Sequence, residues 1–129
     1  MSIIQNKKSL IKQGLNGEHS DIVNQYRHVL PNFIIIGAAK SATTTLTSIL
    51  PKHPDIFISK PKEPKFFGRN YNKGWNWYAS LFEEGQNYIM RGEGSTMYSS
   101  RMKKFRHTPE LMHKYLPNLK IIYIIRHPL

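Results

Sequence analysis

The sequence contains no cysteine among its 129 residues. Without thiols, a disulfide framework and a thiolate metal site are both excluded. Long apolar segments are also absent, since no run of the sequence approaches the roughly 18 residues that span a membrane. The N-terminal residues have no apolar core long enough for a signal peptide. These absences predict a cytoplasmic protein that does not bind a membrane.

Acidic residues are scarce. The chain has 8 Asp and Glu against 19 Lys and Arg, a formal net charge of +11. Such an excess predicts an anionic partner, and nucleic acid, an anionic nucleotide or an acidic glycan would each satisfy it. The basic residues are spread along the whole chain, so charge alone does not select among these partners. A solvated basic surface also accounts for many of them.

Short apolar runs alternate with helical patterns after residue 30, in a chain of about one domain's length. Residues 1–30 are polar and weakly periodic, which predicts a tail or a loosely packed helix. Strands without polar alternation, separated by helices, predict an α/β fold with a parallel sheet covered on both faces. The predicted strands are 33–36, 56–59, 88–90 and 120–125, and the predicted helices are 41–50, 74–82 and 109–116.

The most informative segment is IGAAKSATTT, which joins the first strand to the first helix of this pattern. A glycine-bounded turn into a helix gathers unpaired N–H groups at the positive end of the helix dipole, which suits an anion. Lys40 adds a full charge, and Ser41, Thr43 and Thr44 add hydroxyl donors. An N-capped structural helix would explain the hydroxyls alone. Their combination with a glycine and a lysine favours an anion site.

The spacing of this loop differs from that of the nucleotide-triphosphate loop, G-x-x-x-x-G-K-[ST]. Ala39 precedes the lysine and Ile34 stands six positions before it, so both glycines are missing. A nucleotide triphosphatase also needs an apolar strand that ends in Asp to hold Mg²⁺, whereas the strand 120–125 ends in Arg126. If the two strands are neighbours, Lys40 and Arg126 face one crevice beyond their carboxyl ends. Such a crevice suits a nucleotide with phosphates at both ends.

These motifs resemble the sulfotransferases that use 3′-phosphoadenosine 5′-phosphosulfate (PAPS). The resemblance rests on Gly37-x-x-Lys40-x-x-Thr43-Thr44 and on Arg126-His127-Pro128. Between them, HPDIF, KEPKFF, YNKGWNWYASLF and GEGSTMY resemble the carbohydrate (heparan sulfate type) branch and its bacterial relatives. The resemblance implies a three-layer, P-loop-like parallel sheet with flanking helices. Family members continue past the strand-end arginine, so residues 31–129 are expected to be a partial domain, its N-terminal half, with an apolar strand 120–125 left exposed.

The resemblance also implies a reaction, in which a sulfuryl group passes from PAPS to a hydroxyl or amine of a small-molecule or glycan acceptor. Adenosine 3′,5′-bisphosphate would be the second product, no metal would be required, and nucleic acid would not be a partner. Ala42 stands where the family usually has glycine. The implied roles are general base for Glu63, 3′-phosphate binding for Arg126, charge neutralisation on the leaving oxygen for Lys40, and 5′-phosphosulfate binding for Lys40, Ser41, Ala42, Thr43 and Thr44.

Several alternatives stay open at this point. Glu93, between two glycines, competes with Glu63 as the base, or is a substrate-binding or structural carboxylate. Trp75, Trp77 and Tyr78 line a sugar-binding cleft or, as is more usual for aromatic residues at helical spacing, belong to the core. The rival functions are a P-loop nucleotide kinase or NTPase, and a polyanion- or nucleotide-binding module without catalysis.

Overall fold

The computed structural model describes residues 3–38, 43–60 and 62–125, and side chains from residue 7 onward within those ranges. Short 3₁₀ turns join several of the helices and strands. The strands are β1 (Phe33–Gly37), β2 (Ile56–Ile58), β3 (Met90–Gly94) and β4 (Lys120–Tyr123), and the helices are α1 (Ile3–Leu15), α2 (Ser20–Tyr26), α3 (Thr43–Ile49), α4 (Gly74–Ser80) and α5 (His107–Tyr115).

The four strands form one parallel sheet in the order β2-β3-β1-β4. The predicted parallel sheet is therefore confirmed, and β1 and β4 are the neighbours that a common crevice requires. From β1 the chain crosses to β2 on one side, and from β3 it crosses over β1 to β4 on the other. The strand order thus reverses at β1, and ligands of such sheets bind beyond the carboxyl ends of the strands at that point.

Helices cover both faces of the sheet, as predicted. Phe33 and Ile35 of β1 face α3 in a small apolar cluster. Ile34, which points to the opposite face, joins a larger core to which α1, α2, α4 and α5 contribute. This alternation along one buried strand produces three layers, helix, sheet and helix.

Aromatic side chains fill the centre of the larger core. Phe66 and Phe67, the last residues of KEPKFF, are both fully buried. The Phe66 ring stacks on that of Tyr78 with a centroid separation of 4.3 Å and an interplanar angle of 8°. Trp75 meets Phe66 edge to face at 4.9 Å. Offset and edge-to-face pairs of this kind add to the free energy gained by burial.

The N-terminal segment packs on this core through α1 and α2. Val23 of α2 is fully buried, and Leu10 and Ile11 of α1 lie partly buried against the same cluster. The Tyr115 hydroxyl donates to the carbonyl of Gly14 at 2.5 Å, which ties the end of α1 to α5. A division of the chain at residue 30 stays a prediction.

One predicted strand was wrongly placed. The segment RGEG, expected to follow a strand at 88–90, is itself part of β3, while Tyr88 and Ile89 are exposed. Glycine ordinarily weakens a strand, but here both glycines permit close approaches. A Cβ atom on Gly92 would lie within 2.4 Å of the Phe33 ring, and one on Gly94 within 2.9 Å of Thr47 Cγ2.

The strand β4 lies at the edge of the sheet, and among the described strands it pairs with β1 alone. The expected exposure of its apolar residues is confirmed, with relative exposures of 49% for Ile121 and 50% for Tyr123, and Ile125, two residues past the end of β4, is 81% exposed. An exposed apolar edge is a template for pairing with another chain.

We therefore expect this chain to self-associate with rising concentration. The double change Ile121→Lys with Ile125→Lys should shift sedimentation velocity profiles toward the monomer, because lysine on an edge strand opposes pairing. Ile49→Lys is a matched control, since Ile49 is also about half exposed (52%) but belongs to α3. Equal association of the double variant and the unchanged chain would contradict the role of β4.

Candidate functional site

A cleft of about 460 Å³, including its open mouth, lies at the carboxyl ends of the strands. Three of the residues predicted from the sequence, Thr43, Thr44 and Glu63, line this one cleft although they come from different segments. Among the described residues, the lining comprises Thr43, Thr44 and Thr47 of α3, Ile58 and Ser59 at the end of β2, Lys62 and Glu63, Gly94 at the end of β3, and Thr96.

The predicted residues Lys40, Ser41, Ala42 and Arg126 lie outside the described residues. The backbone that leads to them is described on both strands. The N–H of Ala38 donates to the carbonyl of Ile124 at 3.1 Å, and the N–H of Ile124 donates to the carbonyl of Gly37 at 2.8 Å. The pairing of the two strands therefore continues to two residues before Lys40 and two before Arg126.

The threonines of α3 form one wall of the cleft. Thr43 is buried, whereas Thr44 is exposed. The carbonyl of Thr44 accepts the hydroxyls of Thr47 at 3.0 Å and of Ser48 at 2.9 Å. Those two hydroxyls are thus engaged within the helix, while the first two threonines lie where the loop from β1 enters it.

Glu63 also lines the cleft, on the loop that follows β2. Its carboxylate accepts the Thr96 hydroxyl at 3.0 Å and the Thr96 N–H at 3.3 Å. Glu63 has φ 51° and Lys65 has φ 56°. Left-handed backbone is uncommon for residues other than glycine and often marks a functional loop. The Glu63 side chain is exposed, so an acceptor bound in the cleft can reach it.

Glu93 is fully buried and faces the helical core, away from the cleft. Its Oε2 accepts the hydroxyls of Tyr78 at 2.5 Å and Tyr98 at 2.9 Å, and its Oε1 accepts that of Ser95 at 2.6 Å. Burial raises the pKa of Glu93 to about 7; the three hydroxyl bonds lower it, and the charge of Glu63 raises it further. With no path to solvent, Glu93 cannot take a proton from an acceptor in the cleft.

The aromatic residues that follow the loop belong to the core. Trp75 and Tyr78 are buried, with exposures of 3% and 0%. Trp77 is partly buried, and its ring carries the Lys73 ammonium 4.7 Å from the centroid. The sugar-cleft alternative is therefore wrong for Trp75 and Tyr78, because α4 turns both of them inward.

Sequence reasoning missed Ser59 and Thr96. Ser59 directly follows β2 and is buried, and its hydroxyl has no hydrogen-bond partner within the described ranges. Thr96 holds Glu63, as given above. Both are polar residues just past the end of a parallel strand, and that position was the signal that could have identified them. No group of three potential metal ligands occurs in the described part of the chain.

Comparison with known proteins gives consistent relatives, although no family model matches the chain. It is 37% identical over 102 residues to "Membrane-associated sulfotransferase kil1" of Dictyostelium discoideum. It is 31% identical, also over 102 residues, to the human "Heparan sulfate glucosamine 3-O-sulfotransferase 6". These alignments cover 77% and 79% of this chain. A solved sulfotransferase from Alicyclobacillus acidocaldarius superposes on 72% of the chain with a TM-score of 0.62 and 30% identity.

Over most of its length the chain is similar to sulfotransferases. The expected resemblance to heparan sulfate enzymes and to bacterial relatives is confirmed by these proteins. The alignments cover only 21% and 28% of the two curated relatives, and 43% of the bacterial structure. The chain therefore spans less than half the length of each.

The prediction of a cytoplasmic protein is wrong. The Dictyostelium relative is named as membrane-associated, and the human relative is named for heparan sulfate. The prediction rested on the lack of an apolar segment in a short stretch of sequence, which carries no information on compartment. Within the described residues, no helix has the length and apolar character needed to cross a bilayer.

The buried Glu93 predicts a pH dependence of stability in this chain. The unfolded carboxyl releases its proton near its ordinary pKa of 4.5, and the folded one near 7. The folded state therefore holds the extra proton between these values, and the contribution of Glu93 is fully present below pH 4.5 and lost as pH rises through 7. We expect the melting temperature of the wild type, measured relative to that of Glu93→Gln, to fall between pH 5 and pH 8, because glutamine does not titrate. A difference independent of pH would contradict the assignment.

Proposed function

We propose that this chain binds PAPS and takes part in the transfer of its sulfuryl group to a hydroxyl or amine of a carbohydrate acceptor. The observation that carries the proposal is the cleft at the carboxyl ends of the sheet. It brings Thr43 and Thr44, which follow β1 in sequence, into one cleft with Glu63, and β4, the neighbour of β1, precedes Arg126 in sequence. Such a transfer needs a binding site for the sulfuryl donor and a base for the acceptor in one cleft.

The loop after β1 would hold the 5′-phosphosulfate. Thr43 and Thr44 line the cleft, and Lys40, Ser41 and Ala42 immediately precede them in sequence. Lys40 would neutralise the charge that develops on the leaving oxygen. Sulfuryl transfer resembles phosphoryl transfer in depending on positioning and on stabilisation of a charged in-line transition state. Backbone N–H groups and Lys40 supply positive charge for this, so the proposed mechanism does not call for a metal ion.

Arg126 would hold the 3′-phosphate. Its strand stays hydrogen-bonded to β1 up to Ile124, so the two segments leave the sheet side by side, about 5 Å apart as neighbouring strands are. A nucleotide with anionic groups on both the 5′ and 3′ positions would thus meet a cation at each end.

Glu63 would be the general base. An acceptor hydroxyl or amine must lose a proton as the new bond to sulfur forms, and a well-placed carboxylate removes it. Glu63 is exposed in the cleft and its geometry is fixed by Thr96, whereas Glu93 is enclosed by the core. This contrast supports Glu63 over its competitor.

A glycan acceptor is supported by the relatives that are named for heparan sulfate. The charge of +11 also suits an acidic polysaccharide. Lys62, exposed beside Glu63 at the wall of the cleft, is placed to meet a sulfate or carboxylate of such a chain.

The donor site predicts that adenosine 3′,5′-bisphosphate binds better than ATP, and without Mg²⁺. Lys40→Ala should weaken this binding by about 10- to 100-fold, since a hydrogen bond to a charged group contributes about 1.5–3 kcal/mol. Isothermal titration calorimetry measures both ligands, with Lys52→Ala as the control, since Lys52 is an exposed lysine just after α3. Preference for ATP with Mg²⁺, or an unchanged affinity in Lys40→Ala, would refute the proposal and favour a kinase or a plain polyanion binder.

Removal of Glu63 should abolish most of the transfer but not the binding. We expect Glu63→Gln to lower the rate by about 100-fold, as for other general bases, with the affinity for the bisphosphate unchanged. Transfer of radiolabelled sulfate from PAPS to desulfated heparin measures the rate. Glu84→Gln, which alters an exposed carboxylate after α4, is the matched control, and equal losses in the two variants would count against Glu63 as the base.

A further inference from the structure

The loop that carries Glu63 is held in place by the segment that follows β3. The N–H of Lys65 donates to the Ser95 hydroxyl at 3.0 Å, and the N–H of Phe67 donates to the Tyr98 hydroxyl at 3.3 Å. Glu63 and Lys65 both have left-handed backbone. Such residues persist only where their surroundings over-determine the conformation, so these two contacts matter more than ordinary loop hydrogen bonds.

Both hydroxyls converge on one carboxylate, that of Glu93. Ser95 donates to its Oε1 at 2.6 Å and Tyr98 to its Oε2 at 2.9 Å. Each hydroxyl has a single proton, and since each already accepts an N–H from the loop, that proton is free to point at Glu93. The carboxylate thereby fixes the direction of both hydroxyls and leaves their lone pairs toward the loop.

Thr96 adds a link to the side chain itself. Thr96 directly follows Ser95, and it donates both its N–H and its hydroxyl to the carboxylate of Glu63. The segment 95–98 thus binds the backbone of the loop at Lys65 and Phe67 and the side chain of Glu63. Two residues of the same segment donate hydrogen bonds to Glu93.

We propose that Glu93 is a positioning residue for the transfer reaction, which acts through Ser95 and Tyr98 to fix the loop that carries Glu63. The inference rests on the proposed function, in which Glu63 is the base. It assigns to the buried carboxylate a role that does not require contact with substrate. A displacement of about 1 Å at a reacting group can lower a rate by about 100-fold, so loosening of this loop affects turnover.

Tyr78 supplies an internal control. Its hydroxyl donates to Oε2 of Glu93 at 2.5 Å, but Tyr78 belongs to α4 and has no hydrogen bond to the loop among the described contacts. Removal of the Tyr78 hydroxyl therefore disturbs the buried carboxylate but leaves both hydrogen bonds to the loop, those from the Lys65 and Phe67 N–H groups, in place.

Amide hydrogen exchange of the 129-residue chain, followed by NMR, tests separately the hydrogen bond of Lys65 to Ser95 and that of Phe67 to Tyr98. Ser95→Ala should speed exchange at Lys65, and Tyr98→Phe at Phe67, each by about tenfold as expected for one lost hydrogen bond. Glu93→Gln should speed at least one of them, because a glutamine offers a single acceptor oxygen to two hydroxyls. Tyr78→Phe should leave both amides protected.

Kinetics then separate positioning from a purely structural role. With PAPS and desulfated heparin, Glu93→Gln should lower kcat by about tenfold or more while the affinity for adenosine 3′,5′-bisphosphate stays within about twofold. Ser95→Thr, which keeps the hydroxyl, should retain the kcat that Ser95→Ala loses. If Glu93→Gln does not fold, Ser95→Ala and Tyr98→Phe decide the question.

The inference is overturned if the exchange of Lys65 and Phe67 in Glu93→Gln, Ser95→Ala and Tyr98→Phe equals that in Tyr78→Phe. It is also overturned if these variants change thermal stability but leave kcat as in the wild type. Failure of the wild-type chain to bind the bisphosphate would instead refute the proposed function, and the exchange pattern would still decide whether Glu93 holds the loop.

Discussion

The hydrogen bonding of β1 to both of its neighbours is the constraint on which the candidate site depends. β3 lies on one side of β1 and β4 on the other, and all three strands are parallel. Three chain segments that are far apart in sequence therefore leave the sheet at the same end, where the carboxyl ends of the strands lie. The loop with Lys40 follows β1, Thr96 follows β3, and Arg126 follows β4. A slip of β1 against either neighbour by one residue would turn its side chains to the wrong faces and separate these segments.

The two candidate carboxylates show how one fold gives chemically identical groups different tasks. Glu63 stands in the open cleft on a loop with left-handed backbone, where a side chain can meet an acceptor. Glu93 lies under the same loop, enclosed by hydroxyls, with its pKa raised to about 7 by burial. The first arrangement suits proton abstraction, and the second suits the orientation of neighbouring groups.

The sequence allowed much of this to be predicted. The run FIII and the strand beginning with Lys120 are apolar, short and bounded by turn residues, so their existence and their place in a parallel sheet followed from pattern alone. That the two strands are neighbours was left open by the sequence and came from the structure. RGEG was misplaced because the close approach of Phe33 to Gly92 depends on tertiary packing, which no local rule contains. Ser59 was missed for a similar reason, since a serine after a short strand resembles any turn residue until the cleft is seen. Compartment was predicted wrongly because it is not a property of the fold at all.

The two phenylalanines of KEPKFF have a consequence for how this protein can change. Glu63 is separated from Phe66, which stacks on Tyr78 at the centre of the core, by only two residues. A mutation that repacks the core at Phe66 therefore also acts on the backbone that carries Glu63. Under the proposed function, a change of acceptor would fall on the exposed positions around Glu63, such as Lys62, where a side chain can be exchanged without disturbing the aromatic stack. Neighbouring residues of one six-residue motif would then divide specificity and stability between them.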